Sequence, residues 1–380
     1  MSEYAIEAIG LRRTYRSRTG WLRPQRREVE AVQGVDLTVR PGELFGLLGP
    51  NGAGKTTTIK LLNTLLIPTA GAARICGFDV VRQTREVRRR IGYVFGGDRG
   101  LYDRLSARDN LRYFAELYAV PARDQRRRIA ELLDLVGLTG REGERVEGYS
   151  RGMRQRLHIA RGLLHSPEVL FLDEPSIGVD PVAARELRQT VANLAATGTT
   201  VLLTTHYMAE ADELCDRIAV IAAGRIQALG TPAELKHHAD GRQVLELEAY
   251  GVNDEQLAEV QRLPGVRQAS LEVVGAAQLL TVQSDSATDV QAAVLRAVAG
   301  VRLGRVTARQ PTLEDAYVAI VNRAAATEAP AAPPDGPATD AADATDKPDT
   351  DATDKPDTDA TDKPDTDATD KADAGSAVSA

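Results

Sequence analysis

Gly49-Pro50-Asn51-Gly52-Ala53-Gly54-Lys55-Thr56-Thr57 places a glycine, four residues and then Gly-Lys-Thr between the apolar run Leu44 to Leu48 and the stretch Thr56 to Leu66. The run before it reads as a buried parallel strand and the stretch after it as a helix that opens at the loop. Strand, loop and helix in that order are the context in which this spacing binds phosphate. The glycines let backbone N–H groups close on phosphate oxygens, and Lys55 reaches the β and γ phosphates. The Thr56 hydroxyl is placed to ligate Mg2+ at a helix start whose dipole favours anions. A plain glycine turn would leave the Lys-Thr pair unexplained. The chain is therefore expected to bind a nucleotide, with Gly49 to Thr57 as its phosphate-binding set.

Downstream, Val169-Leu170-Phe171-Leu172-Asp173-Glu174 is an apolar strand that ends in two carboxylates. Its burial leaves both acids at the carboxyl end of the strand, facing the nucleotide. Asp173 is expected to hold Mg2+ through water, and Glu174 to polarise the water that attacks the γ-phosphate. Read alone, two acids at a strand end also fit ordinary turn chemistry; the phosphate loop decides for catalysis. Between the two segments lies Tyr149-Ser150-Arg151-Gly152-Met153-Arg154-Gln155, where a Ser cap and a glycine at a helix start make an anion-binding end. Ser176-Ile177-Gly178-Val179-Asp180 follows the carboxylates, and Thr204-Thr205-His206 ends another apolar strand.

From Gly42 to about Gln227, strands such as Val169 to Leu172 and Thr200 to Thr205 alternate with helical stretches such as Gln125 to Val136 and Pro181 to Ala196. That order argues for an α/β core with parallel strands. Ahead of it, Ile6 to Leu11 and Val29 to Val39 read as strands around a loop holding Trp21 and Pro24. Arg12, Arg13, Arg16, Arg18, Arg23, Arg26 and Arg27 make that stretch the most basic of the chain. A solvated hairpin insert is the simpler reading, a contact with anionic lipid or a partner the alternative.

A smaller α+β unit follows from about Gly241 to Arg323. Val244 to Glu248, Val266 to Val274 and Leu279 to Gln283 read as strands, Asn253 to Leu263 and Ala287 to Val298 as helices. The expected domains are thus 1–235, 240–323 and a tail, 324–380. Residues 331–380 hold fourteen Asp and four Lys, a net of −10, so the overall −7 leaves +3 on the first 330 residues. Within the tail, Asp-Ala-Thr-Asp-Lys-Pro-Asp-Thr at 343–350 recurs at 351 and 359 and in part at 367. Such a tract has little apolar surface to offset chain entropy and reads as disordered. Cys76 and Cys215 are the only cysteines, too few for a disulfide framework and without metal-ligand spacing, which suits a reducing cytosol. There is no signal peptide and no run of about 18 apolar residues, so any membrane role is expected to come through a partner.

These motifs in this order resemble an ATP-binding-cassette (ABC) ATPase over roughly residues 4 to 235. The resemblance identifies Walker A at Gly49 to Thr56 and a signature at Ser150 to Gln155. It identifies Walker B at Asp173 with Glu174, a D-loop at Ser176, Gly178 and Asp180, and a switch histidine at His206. It implies a P-loop NTPase cassette: a RecA-like core, an antiparallel β subdomain and a helical subdomain. It also implies a head-to-tail dimer with two ATP molecules, each between Walker A of one subunit and the signature of the other. Ser150, Arg151, Gly152, Met153 and Gln155 would then serve the ATP of a second copy, and His206 would contact the γ-phosphate beside Lys55 and Glu174. Tyr15 matches the family's adenine-stacking aromatic, with an ordinary hairpin tyrosine as the alternative.

Two departures stand out. Tyr149, Arg151 and Met153 give a signature variant similar to that of drug and antibiotic exporters. The Q-loop glutamine expected after Ile91-Gly92-Tyr93-Val94-Phe95 is replaced by Gly96-Gly97-Asp98, so no glutamine is assigned, with Asp98 as the alternative. The region ending in Gln310-Pro311-Thr312-Leu313-Glu314-Asp315-Ala316-Tyr317 resembles the C-terminal module of daunorubicin-resistance-type ABC ATPases. Glu314 and Asp315 there are most simply a charge pair at a helix start. The resemblance implies a subunit on the cytoplasmic side of the cell membrane, serving a separately encoded multi-span permease. The competing reading is a soluble ABC protein acting on DNA or ribosomes; a nearly neutral core with an acidic tail argues against nucleic acid. A P-loop kinase or GTPase would leave the signature, D-loop and His206 unexplained.

Overall fold

The computed structural model describes residues 3–19, 25–95, 100–239, 243–285 and 287–328. The chain begins with a hairpin of β1 (Ile6–Thr19) and β2 (Gln25–Val39), antiparallel from Ile6 opposite Val39 to Thr19 opposite Gln25. The ladder runs on through the Arg-rich stretch that the sequence suggests is loop. Ion pairs across the ribbon account for this: Arg12 meets Glu30 and Arg16 meets Glu28, both at 2.9 Å, so opposite charges face each other over the exposed strands. Trp21, Arg23 and Pro24 lie outside the described residues.

Next come β3 (Leu44–Leu48), α1 (Lys55–Leu62), β4 (Ala70–Ile75), β5 (Phe78–Asp79), α2 (Thr84–Arg90) and β6 (Ile91–Phe95). The hairpin joins β4 and β5 in a four-stranded antiparallel sheet, ordered β2-β1-β4-β5. Helices α3 (Ala107–Leu117), α4 (Ala122–Leu135) and α5 (Arg151–Gly162) form a helical layer. The chain continues through β7 (Val169–Asp173), α6 (Pro181–Ala196), β8 (Thr200–Thr205), α7 (Met208–Leu214), β9 (Arg217–Ala222), β10 (Arg225–Gly230) and α8 (Pro232–Lys236). The central sheet is ordered β10-β9-β3-β8-β7-β6, parallel throughout except for edge strand β10.

Every residue of β3, β7 and β8 is buried, as expected of parallel strands covered on both faces. The two-residue side-chain period splits them between two cores. Leu44, Leu48, Leu170, Leu172, Val201 and Leu203 pack with the helical layer, through Leu111, Leu132, Leu157 and Ile159. Phe45, Leu47, Val169, Phe171 and Leu202 pack instead with Ile6, Leu11, Val35 and Ile75 of the antiparallel sheet and Ile59 of α1.

The last elements are β11 (Gln243–Tyr250), α9 (Asp254–Gln261), β12 (Val266–Val274), β13 (Ala277–Ser284), α10 (Ala287–Ala297), β14 (Arg302–Arg309) and α11 (Leu313–Glu328). They build an antiparallel sheet ordered β12-β13-β11-β14 around a core of Leu245, Leu247, Leu280, Val282 and Val294. β14 escapes the sequence reading because it is an edge strand with no fully buried residue. Helix α11 leaves this sheet and packs on α7 and α8, placing Leu313 and Ile320 in the core that holds Leu170 and Leu203. Its start is locked: Thr312 N donates to Asp315 Oδ2 at 2.7 Å, and Arg309 bridges Asp315 at 2.6 Å and Glu246 at 2.7 Å. Asp315 is thus a helix-start residue with an ion-pair partner. The described residues belong to one compact unit; the acidic repeats lie outside them.

Candidate active site

Strands β3, β7 and β8 are parallel neighbours, with Leu48 beside Thr205 and Asp173 beside Thr204. Their carboxyl ends therefore deliver the phosphate loop, the two acids and the switch segment to one edge of the sheet, where open α/β sheets bind ligands. The loop is pinned from below. Gly224 N, in the β9–β10 turn, donates to Ala53 O at 3.0 Å. Gly54 has φ +106°, and a Cβ there would sit 2.5 Å from the Ala31 carbonyl oxygen of the hairpin. Only glycine fits both that conformation and that approach. Ala53 is buried, whereas Pro50, Asn51, Gly52 and Thr56 are exposed, so the loop presents an open lip of backbone at the start of α1.

Lys55 is 4% exposed, and its Nζ lies 2.7 Å from the Gly49 carbonyl oxygen and 3.1 Å from Glu174 Oε1. Asp173 accepts from Thr204 Oγ1 at 2.6 Å and from Thr56 Oγ1 at 3.2 Å on one oxygen, and from the Tyr93 hydroxyl at 3.4 Å on the other. Burial, then the charge of Asp173, raises the Tyr93 hydroxyl well above its ordinary value. Glu174 departs from the strand with φ +49°, a left-handed backbone that costs on the order of 1 kcal/mol or more in a non-glycine residue. Its N–H donates to Thr204, with carbonyl and hydroxyl oxygens both at 3.1 Å. The turn carries its carboxylate to Lys55 and to His206, whose Nδ1 lies 3.4 Å from Glu174 Oε2 without the angle of a hydrogen bond.

The signature residues are held by a different set of contacts. Ser150 caps α5 by accepting from Met153 N at 3.3 Å. Gly152 sits hard against α6: a Cβ there would collide with that of Ala183, with Val179 Cγ1 3.5 Å away. Arg151 Nη1 lies 3.4 Å from the Gly178 carbonyl oxygen, joining signature to D-loop. Asp180 caps α6, accepting from Val182 N and Ala183 N at 3.1 and 3.0 Å. Gln155 is buried and turns inward, its Nε2 3.4 Å from the Phe95 carbonyl oxygen. On the same helix His158 is 1% exposed with no hydrogen-bond partner for either ring nitrogen among the described residues. Burial, helped by Arg161 and Arg154, pushes it down to about 3. Tyr15 stands half-exposed on the hairpin with the Arg13 guanidinium 5.0 Å from its ring centre. Gly96, Gly97 and Asp98 lie outside the described residues.

The structure thus gathers Lys55, Thr56, Asp173, Glu174 and His206 into one cluster, and Ser150 to Gly152 with Gly178 into another. Three contributors were missed from the sequence. Thr204 touches both acids; its signal was the shared polar ending of two neighbouring strands. Tyr93 braces Asp173 from β6. Glu210, 3% exposed on α7, accepts from Ser176 Oγ at 3.1 Å. Burial raises its carboxyl while hydrogen bonds from Thr205 and Ser176 oppose the rise.

A phosphate loop, a strand-end acid pair and a strand-end histidine on a parallel sheet define a P-loop ATPase. A family model described as ABC transporter matches residues 32–177. The chain is 41% identical over 296 residues to daunorubicin resistance ATP-binding protein DrrA3 of Streptomyces coeruleorubidus, spanning 76% of this chain and 90% of that one. Among solved structures it is similar to cbiO1 from Clostridium perfringens, part of the ABC transporter complex cbiONQ. That match has a TM-score of 0.54 and 25% identity over 62% of this chain and 91% of the other. It is likewise similar to the dimeric post-hydrolysis cassette MJ0796 bound to ADP and Pi, with a TM-score of 0.52 and 25% identity over 60% and 98%. The chain belongs to the ATP-hydrolysing subunits of ABC transporters, in the daunorubicin-resistance (DrrA) type.

Proposed function

We propose that this ATPase dimerises with a second copy of itself on binding ATP and powers a separate multi-span permease that exports a drug, antibiotic, lipid or polysaccharide. The observation that carries the reading is the separation of the two clusters. Lys55, Asp173, Glu174 and His206 make one half of a hydrolytic site, while the Ser150-capped start of α5 offers N–H donors for a γ-phosphate elsewhere. A second copy placed head to tail brings the halves together.

Thr56 and Asp173 suit Mg2+: a hydroxyl and a carboxylate oxygen 3.2 Å apart are hard donors of the kind that ion takes alongside phosphate oxygens and water. When bound, Mg2+ would neutralise charge on the β and γ phosphates. The chain's own groups do the rest. Lys55, now sharing its charge with Glu174, turns to the phosphates when ATP arrives, and Glu174 is released to accept a proton from the attacking water. His206 then holds the γ-phosphate. The proposed place of action is the cytoplasmic face of the cell membrane.

Affinity purification of the Glu174→Gln chain from its native membranes in ATP and Mg2+ tests this. A stoichiometric multi-span protein is expected; ribosomal proteins or DNA-repair factors in its place would overturn the transporter reading in favour of a soluble ABC ATPase.

A further inference from the structure

Glu210 is a carboxylate almost wholly removed from water, an arrangement disfavoured unless its oxygens are hydrogen-bonded. It stands between two different functional segments. Ser176 Oγ belongs to the D-loop, two residues after Glu174, and donates at 3.1 Å. Glu210 itself stands in the first turn of α7, which starts two residues after His206 at the end of β8. Helix α7, which carries Glu210, is itself fastened at both flanks: Glu213 pairs with Arg188 of α6 at 2.8 Å, and Asp212 with Lys236 of α8 at 2.7 Å. A group on a braced helix that continues from one segment and holds the other by a hydrogen bond fixes their relative position.

The D-loop end of this link leads on to the signature. Gly178 accepts from Arg151 at 3.4 Å, and Val179 and Ala183 pack under Gly152. A continuous path therefore runs from His206, along the first turn of α7 to Glu210, and through Ser176 and the D-loop to the start of α5. We propose that Glu210 is a positioning residue that ties the D-loop to the switch segment, so that movement of His206 at one nucleotide is passed to the signature serving the other. This rests on the dimer reading above. It explains why an ionisable group stands where a buried apolar residue would pack without needing partners.

The test uses the full chain with Glu210→Met, which removes the acceptor at similar length, Ser176→Ala, the two combined, and Glu210→Gln. Turnover is followed against ATP concentration, with thermal melting as the control for folding. The wild type is expected to show a Hill coefficient above 1. Glu210→Met and Ser176→Ala are each expected to bring it to 1 and lower kcat about tenfold, with the double variant no worse than either, since both remove one link. Glu210→Gln, which keeps an acceptor, should restore most of the loss. Wild-type kcat and Hill coefficient in Ser176→Ala, or additive losses, would overturn the proposal, and Ser176→Ala decides alone should Glu210→Met not fold. Size-exclusion of Glu174→Gln with ATP separates the two levels. A dimer with unaffected variants overturns this inference only, whereas a monomer overturns the dimer reading and the inference with it.

Discussion

Asp173 and Glu174 are adjacent in sequence, and Thr204 lets them do different work. Its hydroxyl anchors Asp173 at 2.6 Å, and its carbonyl and hydroxyl hold the N–H of Glu174 in the left-handed turn. Thr204→Val keeps the shape and removes the hydroxyl. Stability should fall by about 1 to 2 kcal/mol, for a buried hydrogen bond to a charged group, and kcat by about tenfold as Asp173 loses its aim; urea titration and steady-state ATPase assays read the two. His158 gives a pH dependence of known sign. Its folded value of about 3 lies below the ordinary 6.5, so the stability of the neutral buried ring is fully present above 6.5 and is lost as pH falls towards 3. At pH 5 the loss is about 2 kcal/mol from this residue. His158→Leu is expected to flatten that part of the urea-midpoint profile, leaving the smaller contribution of His165, also lowered by burial.

At the scale of elements, the contact between α5 and α6 leaves no room for a side chain at Gly152. Gly152→Ala drives a methyl into Ala183, which should cost about 1 to 3 kcal/mol or displace the signature from the D-loop. ATPase activity should fall with it, and adding Ala183→Gly should recover both, a rescue that loss of a ligand contact alone would not give. What the sequence made legible here follows from spacing. The phosphate loop, the Val169 to Glu174 strand and the cap at Ser150 are local patterns with fixed offsets, and each stands where its pattern puts it. Thr204, Tyr93 and Glu210 were not legible because their roles depend on which strands become neighbours. Likewise β14 has no fully buried residue to mark it, and the basic hairpin reads as loop until Glu28 and Glu30 pair with Arg16 and Arg12 across it.

At the scale of the whole molecule, the last helix matters more than its place in the sequence suggests. Leu313 and Ile320 of α11 complete the core beneath β7 and β8, so Leu313→Ala is expected to destabilise the nucleotide-binding body itself by about 2 to 4 kcal/mol. A lowered melting temperature for the ATP-stabilised transition is the measurement. Arg309→Ala, which unlocks the start of α11 from Glu246 and Asp315, should act in the same direction and less strongly. Because the chain departs for the third sheet through β11 and comes home through α11, that sheet is stitched into the body by two threads. A protease that cuts just after α8 would therefore leave a nicked particle that still sediments as one, and the fragments would part only in denaturant.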